Sequence, residues 1–455
     1  MLELYIRSRS NVICTCVAFL AVMTASCFAS EQQSALKRYV QSPAPAFSWE
    51  VRKNRDEGDI RMYDLLLVSQ EWKTGRWSHQ LRVMVPQEKR QCDTCLLFIS
   101  GGHNRDGHPA WLNRGTSVQR LLRDVVSRCR IPVTVLRQVP NQPLLGGLTE
   151  DELIAETLMR YLKTRDARWP LLLPMVKSAV QAMDAVQAFG EEHLSTSVSD
   201  FVVAGASKRG WTTWLTAAHD PRVTGIAPMV IDILNMPAQM DHQRAVWGDY
   251  SRRIAPYTRK IGGESLLELV QDPRGKPLVS LVDPYVYRDR ITVPKLIFIG
   301  TNDPYWPIDA AGIYYHGLTG PSFLHYVPNA GHGLGDGRRA ANALAAFVRT
   351  ISTGVQHPEL CWTTERDSDG LSIRAKASEA VADATLWTAR SPNRDFRQAQ
   401  FQREECQVSD TRITASISRS RESFKAGFVD VAFDGPAGEE FRQSTECFVI
   451  KPTEE

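Results

Sequence analysis

With 455 residues, 43% hydrophobic and 23% charged, the chain exceeds one ordinary core and carries no biased or repeated tract, which excludes disordered and solenoid proteins and predicts two domains. Its 54 basic and 51 acidic residues are mixed along the chain and leave a net charge of +3, so there is no electrostatic footprint for nucleic acid.

The N-terminus reads as an export signal. Arg7 and Arg9 precede an apolar run from Val12 to Ala25, and Ser26-Cys27-Phe28-Ala29-Ser30 supplies small or turn-compatible residues at its exit. The run is shorter than the roughly 20 apolar residues of a permanent span. Cleavage after Ala29 is the first expectation; Thr24-Ala25-Ser26-Cys27 also resembles a bacterial lipoprotein box, which would leave a lipid anchor on Cys27. Either route predicts a periplasmic or extracellular protein with no membrane-spanning helix in the mature chain. Removing residues 1–29 leaves Cys92, Cys95, Cys129, Cys361, Cys406 and Cys447, an even set that in an exported chain predicts disulfides. Cys92-Asp93-Thr94-Cys95 lacks the second pair that a zinc site needs.

Next come short apolar bursts between Phe47 and Pro86, such as Leu65-Leu66-Leu67-Val68, which predict antiparallel strands. From Leu96 the rhythm changes. Continuous apolar strands at Leu96–Ile99, Ile131–Leu136, Phe201–Ala204, Val223–Ile233 and Lys295–Ile299 alternate with helical patterns at Val118–Val126, Leu153–Leu162, Leu172–Phe189, Trp211–Ala218 and Ala340–Ile351. Strands buried on both faces and alternating with helices predict a mainly parallel sheet wrapped by helices. Residues 235–292 interrupt this rhythm with a polar, aromatic stretch, expected as a cap over the carboxyl ends of the strands. After His357-Pro358, short alternating segments predict a small β-sandwich over 358–455, following an α/β-hydrolase domain over 30–357.

The segment Phe201-Val202-Val203-Ala204-Gly205-Ala206-Ser207-Lys208-Arg209-Gly210-Trp211 runs a buried strand into Gly-x-Ser and straight into a helix. That is the context of a nucleophile elbow, in which a tight turn lifts the serine hydroxyl above the sheet. Ser207 is the expected nucleophile. Asp303, after the strand Lys295–Ile299, and His332, in the glycine-flanked loop Asn329-Ala330-Gly331-His332-Gly333, follow in the order serine, acid, histidine that this arrangement requires. Asp232, after the preceding strand, is the rival acid. The backbone amide of Lys208, with that of Gly102 or His103 in Ser100-Gly101-Gly102-His103-Asn104, is the expected oxyanion hole; a plain turn is the alternative at the glycines. Asn104, Asn141, Gln142 and Trp306 are expected to bind substrate, although Pro140-Asn141-Gln142-Pro143 also suits a purely structural loop. No metal is expected, because His103 and His108 lack companion ligands, and no cofactor is called for.

These motifs, together with Val139-Pro140-Asn141-Gln142-Pro143-Leu144, Met175-Val176-Lys177-Ser178-Ala179-Val180, Gly300-Thr301-Asn302-Asp303-Pro304-Tyr305-Trp306 and Val327-Pro328-Asn329-Ala330-Gly331-His332-Gly333, resemble the PhoPQ-activated pathogenicity-related protein family. The resemblance covers residues 45–350 and implies an exported bacterial protein with the α/β-hydrolase fold and a hydrolase triad; Arg209, in place of a second elbow glycine, matches that family's Ser-Lys-Arg-Gly. The elbow is also similar to the Gly-x-Ser-Arg-x-Gly of glucuronoyl esterases, where the basic residue after the nucleophile helps hold the oxyanion; Lys208 is its counterpart. The expected activity is a serine hydrolase acting through an acyl-enzyme on a small-molecule or carbohydrate ester, or on a peptide. A hydrolase-fold virulence or binding protein with little turnover is the reading from a different class.

Overall fold

The computed structural model describes residues 35–73, 75–88, 92–112, 116–194, 197–260, 263–435 and 440–453. Residues 1–29, on which the expected export signal and Cys27 fall, lie outside the described residues. Three antiparallel strands open the sheet: β1 (Ser48–Glu57), β2 (Ile60–Trp72) and β3 (Gly75–Pro86). Six parallel strands carry it on: β4 (Thr94–Ile99), β5 (Val133–Leu136), β6 (Asp200–Ala206), β7 (Val223–Met229), β8 (Lys295–Gly300) and β9 (Ser322–Val327), in the spatial order β1-β2-β3-β5-β4-β6-β7-β8-β9.

The continuous apolar runs are explained by burial on both faces. Along β4, Cys95, Leu97 and Ile99 enter one core while Leu96 and Phe98 enter the other, and along β6 Phe201 and Val203 separate in the same way from Val202 and Ala204. Alternate residues of a strand point to opposite faces, so a two-faced sheet needs apolar residues at every position. Helices α1 (Ser117–Cys129) and α8 (Arg338–Thr353) cover one face, and α3 (Leu172–Phe189) and α4 (Lys208–Ala217) the other; α2 (Glu150–Thr164) stands at the carboxyl ends of the strands beside the cap. The start of α1 is set by Thr116, whose hydroxyl caps the Gln119 amide while the Gln119 side chain returns to the Thr116 amide.

In the described residues of the insertion between β7 and β8 the regular elements are helical, with α5 (Met236–Trp247), α6 (Leu266–Gln271) and α7 (Lys276–Val282) joined by shorter turns and loops. Its apolar residues Met236, Met240, Leu266, Leu267 and Leu278 face the space beside Ser207, which makes it a cap.

In the C-terminal segment the described regular elements are antiparallel strands, arranged in two layers. Residues 360–366, 370–377, 407–409 and 412–418 form a four-stranded sheet. The strands 383–391, 402–405, 424–434 and 440–444 instead extend the central sheet, because 440–444 pairs antiparallel with β9 through Leu324 and Ser444. Apolar residues of both layers, Ile373, Ile413 and Ile417 from one and Val429, Val431 and Phe433 from the other, meet in one core shared with α1 and α8.

The expected disulfides are not formed: Cys92, Cys95, Cys129, Cys361, Cys406 and Cys447 are all free thiols. The pleat explains the closest pair in sequence, since Cys95 points into the α3 face and Cys92 packs against the α1 face. Burial pushes the Cys95 thiol up to about 12, so it is an inert core residue. Among the described residues no helix is long and apolar enough to cross a membrane.

Candidate active site

Ser207 stands where β6 turns into α4, with φ 57° and ψ −128°. A non-glycine residue in that region is strained and persists only where the surroundings enforce it. Here the Ser207 amide donates to the Met229 carbonyl at 2.8 Å, and the Ser207 carbonyl accepts from Trp211 at 3.0 Å. Gly205 is required by close approach, because a Cβ there would lie 2.7 Å from the Arg209 carbonyl oxygen.

Asp303 and His332 meet at the ends of neighbouring strands. β8 and β9 run parallel in register, so the loops that leave them emerge side by side. His332 Nδ1 lies 2.8 Å from Asp303 Oδ2, and Asp303 is 4% exposed. The other carboxylate oxygen accepts from the Tyr305 amide at 2.8 Å, and the Tyr305 ring stacks on the imidazole with centroids 4.1 Å apart. Asp232 is engaged elsewhere: its Oδ1 accepts from Tyr314 Oη at 2.5 Å. Burial, opposed by the Tyr314 hydrogen bond and aided by the charge of Asp303, pushes the Asp232 carboxyl up to about 7. Ser207 Oγ makes no hydrogen bond among the described residues, to His332 or to any other group.

A network that the sequence reading missed surrounds the elbow. Lys208 Nζ lies 2.9 Å from Glu150 Oε2 and 3.2 Å from Asp151 Oδ2. Arg209 donates through Nη2 to Glu150 Oε1 at 2.7 Å and through Nε to the Val139 carbonyl at 2.6 Å. Burial of Glu150 works against its charge, but the Arg209 and Lys208 contacts prevail and hold its carboxyl down at about 2. Asp151 Oδ1 accepts from Tyr257 Oη of the cap at 2.9 Å. In the sequence Glu150 and Asp151 look like ordinary acidic residues of a helix first turn; only the departure of Arg209 from a second glycine hinted that a partner was needed.

The loop Ser100–Asn104 packs against the same network. A Cβ at Gly101 would lie 2.6 Å from Arg209 Nη2, so the guanidinium fills the space a side chain would take. The Gly102 carbonyl accepts from Gln142 Nε2 at 3.1 Å, while the amides of Gly102, His103 and Lys208 donate to nothing among the described residues. Asn141 and Gln142 are buried. Asn141 donates to the Ser78 carbonyl at 2.7 Å and accepts from Asn104 at 2.8 Å, and Gln142 bonds Glu150 through both ends of its amide. These three residues shape the loop. Of the four expected to touch substrate, Trp306 alone lines the cavity that reaches Ser207.

That cavity lies beside Ser207 and Lys208 beneath the cap, and is lined by Asp151, Tyr257 and Tyr305 together with apolar residues of the cap. Its volume of about 50 Å³ is room for only a few water-sized groups.

The model of the PhoPQ-activated pathogenicity-related proteins matches residues 36–397. The autocrine proliferation repressor protein A of Dictyostelium discoideum is 32% identical over 401 residues, which are 83% of this chain and 79% of that protein. Among solved structures, acetyl xylan esterase 1 from Thermoanaerobacterium sp. aligns at 17% identity and TM-score 0.46 over 67% of this chain and 88% of its own. The acetyl xylan esterase from Paenibacillus sp. R4 aligns at 16% identity and TM-score 0.46 over 67% and 89%. With elbow, acid loop and histidine loop all inside the matched span, the chain belongs to the PhoPQ-activated pathogenicity-related protein family.

Proposed function

We propose that the protein is a serine ester hydrolase that takes a short apolar acyl group. The observation that carries this reading is the hydrogen-bonded pair His332–Asp303 at the strand ends of the sheet that also holds a strained serine beside a mostly apolar cavity. In this mechanism Asp303 fixes the imidazole with its proton on Nδ1, leaving Nε2 to take the Ser207 proton as Oγ attacks the ester carbonyl. The unpartnered amides of Lys208 and of Gly102 or His103 hold the oxyanion. Collapse breaks the acyl–oxygen bond and His332 returns the proton to the departing alcohol. Water then repeats the sequence on the acyl-enzyme, releasing the acid and restoring the serine. The Lys208 ammonium, paired with Glu150 and Asp151, acts in this scheme by fixing the elbow. An ester fits this cavity better than a peptide, whose amide on the acyl side would lack partners among apolar residues.

The absence of a Ser207–His332 hydrogen bond favours a second reading, a hydrolase-fold binding protein with little turnover. Such bonds also tighten only when substrate arrives. A fluorophosphonate probe separates the two: the wild-type protein is expected to be labelled at Ser207 and Ser207→Ala to stay unlabelled while folded. An unlabelled wild type would sink the hydrolase reading.

A further inference from the structure

Pro304, the neighbour of Asp303, borders a second and open cleft of about 460 Å³. Trp247, Asp249, Tyr250, Arg252 and Arg253 of the cap and Arg397 of the C-terminal segment form its walls. The cap portion is tied to the acid loop: Ser251 Oγ donates to the Pro304 carbonyl at 2.6 Å, and Gln243 donates to the Tyr305 carbonyl at 2.9 Å while accepting from the Ser251 amide at 3.1 Å. The cleft therefore begins one residue from the ring that stacks on His332.

Its charge is unbalanced. Three guanidinium groups face a single lining carboxylate, that of Asp249, which already accepts from the Tyr250 amide at 2.7 Å. Arg397 is paired with Asp395 and lies 4.2 Å from the centre of the Trp247 ring. Arg252 and Arg253 are exposed, and their guanidinium groups have neither an ion pair nor a hydrogen bond among the described residues. Unpaired arginine forks match carboxylates in two-bond geometry; the Trp247 and Tyr250 rings, which carry the Arg397 and Arg244 guanidinium groups at 4.2 and 6.0 Å, give the cleft aromatic walls.

On the reading of Ser207 as an esterase nucleophile, we propose that this cleft binds the alcohol side of the ester and that the alcohol is an acidic sugar. The acyl group lies in the apolar cavity under the cap, and a uronic-acid residue sits between Arg252, Arg253 and the Trp247–Tyr250 wall. The substrate class is then a short-chain O-acyl ester of an acidic polysaccharide.

Binding is measured by calorimetry on full-length Ser207→Ala protein with trigalacturonate, neutral galactotriose and inorganic phosphate. Trigalacturonate is expected to bind about tenfold or more tightly than galactotriose, with the advantage lost in Arg252→Gln/Arg253→Gln and eroded by salt. The charged sugar failing to bind, equal affinity for the two sugars, or an unchanged advantage in the double variant would overturn the proposal; phosphate binding as tightly as trigalacturonate would overturn its sugar part. In otherwise wild-type protein, the same double substitution is expected to slow deacetylation of O-acetylated trigalacturonate about tenfold and to leave 4-nitrophenyl acetate hydrolysis unchanged. Equal slowing of both esters would place the arginines outside substrate selection. Sugar binding without probe labelling would refute the esterase reading and leave the cleft standing, so the two failures are distinguishable.

Discussion

The two sides of the candidate centre are braced by different chemistry. Around Ser207 the braces are charges: Arg209 and Lys208 from α4 grip Glu150 and Asp151 from α2, and Arg209 also holds the Val139 carbonyl. Around His332 and Asp303 the braces are neutral amides that reach outside the hydrolase sheet. Asn302 donates to the carbonyls of Phe396 and Ala399 at 2.9 and 2.8 Å, and Asn329 exchanges two hydrogen bonds with the backbone of Phe401. The elbow is therefore fixed by its own half of the fold. The acid and histidine loops instead lean on the C-terminal segment, which makes that segment part of the site's support.

The sharpest break of this comparison is at the acid itself. Asp303→Asn is expected to lower the initial rate on an activated ester by about 10⁴, whereas Asp232→Asn costs on the order of tenfold or less, since its hydrogen bond goes to Tyr314. A crippled Asp232 variant beside an active Asp303 variant would move the acid by one strand. On the charged side, Arg209→Gln leaves the Val139 carbonyl without its donor and Glu150, partly exposed, with Lys208 alone, and is expected to destabilise the protein by roughly 1–2 kcal/mol in denaturant unfolding. Arg209→Lys keeps the charge but not the fork that spans Glu150 and the Val139 carbonyl; full rescue by lysine would show that charge alone braces the elbow.

On the neutral side, Asn302→Ala strands two carbonyls, with an expected cost of about 1–2 kcal/mol. Its turnover number is expected to fall about tenfold at unchanged KM, because the acid loop loosens while the acyl cavity is untouched. A change in KM alone would contradict the positioning role.

The smallest effect is in pH dependence. The Asp232 carboxyl titrates at about 7 in the folded protein against 3.8 for an ordinary aspartate. Between those values the folded state binds the extra proton, so stability falls as pH rises across the window. Glu150, held down at about 2 from 4.5, acts with the opposite sign: its contribution is present above 4.5 and is lost as pH falls toward 2. Thermal melts of Asp232→Asn are expected to be flatter than wild type from pH 4 to 7 and unchanged below; a parallel shift at every pH would remove titration of Asp232 as the cause.

What the sequence determined by itself is local. The two-faced strands were legible because a strand buried on both sides needs apolar residues throughout, and β4, β6 and β8 have them. The elbow was legible because a strand, a small residue, a serine and a helix occupy consecutive positions, and the chain order of Ser207, Asp303 and His332 follows from where the strands end. Tertiary structure decided everything that depends on which distant groups meet. The parallel pairing of β8 with β9 brings Asp303 to His332 and leaves Asp232 with Tyr314. The C-terminal strands join the central sheet because 440–444 finds the free edge of β9, a choice that alternation alone does not encode. Cys92 and Cys95 stay unpaired because the pleat puts them on opposite faces of the sheet. The Glu150–Arg209 grip was not legible because Glu150 alone looks like an ordinary acidic residue of a helix first turn, and Arg209, though it departs from the elbow glycine, does not name its partner. Hydrophobic periodicity is written residue by residue, whereas a charge reveals its function only once the fold supplies its partner.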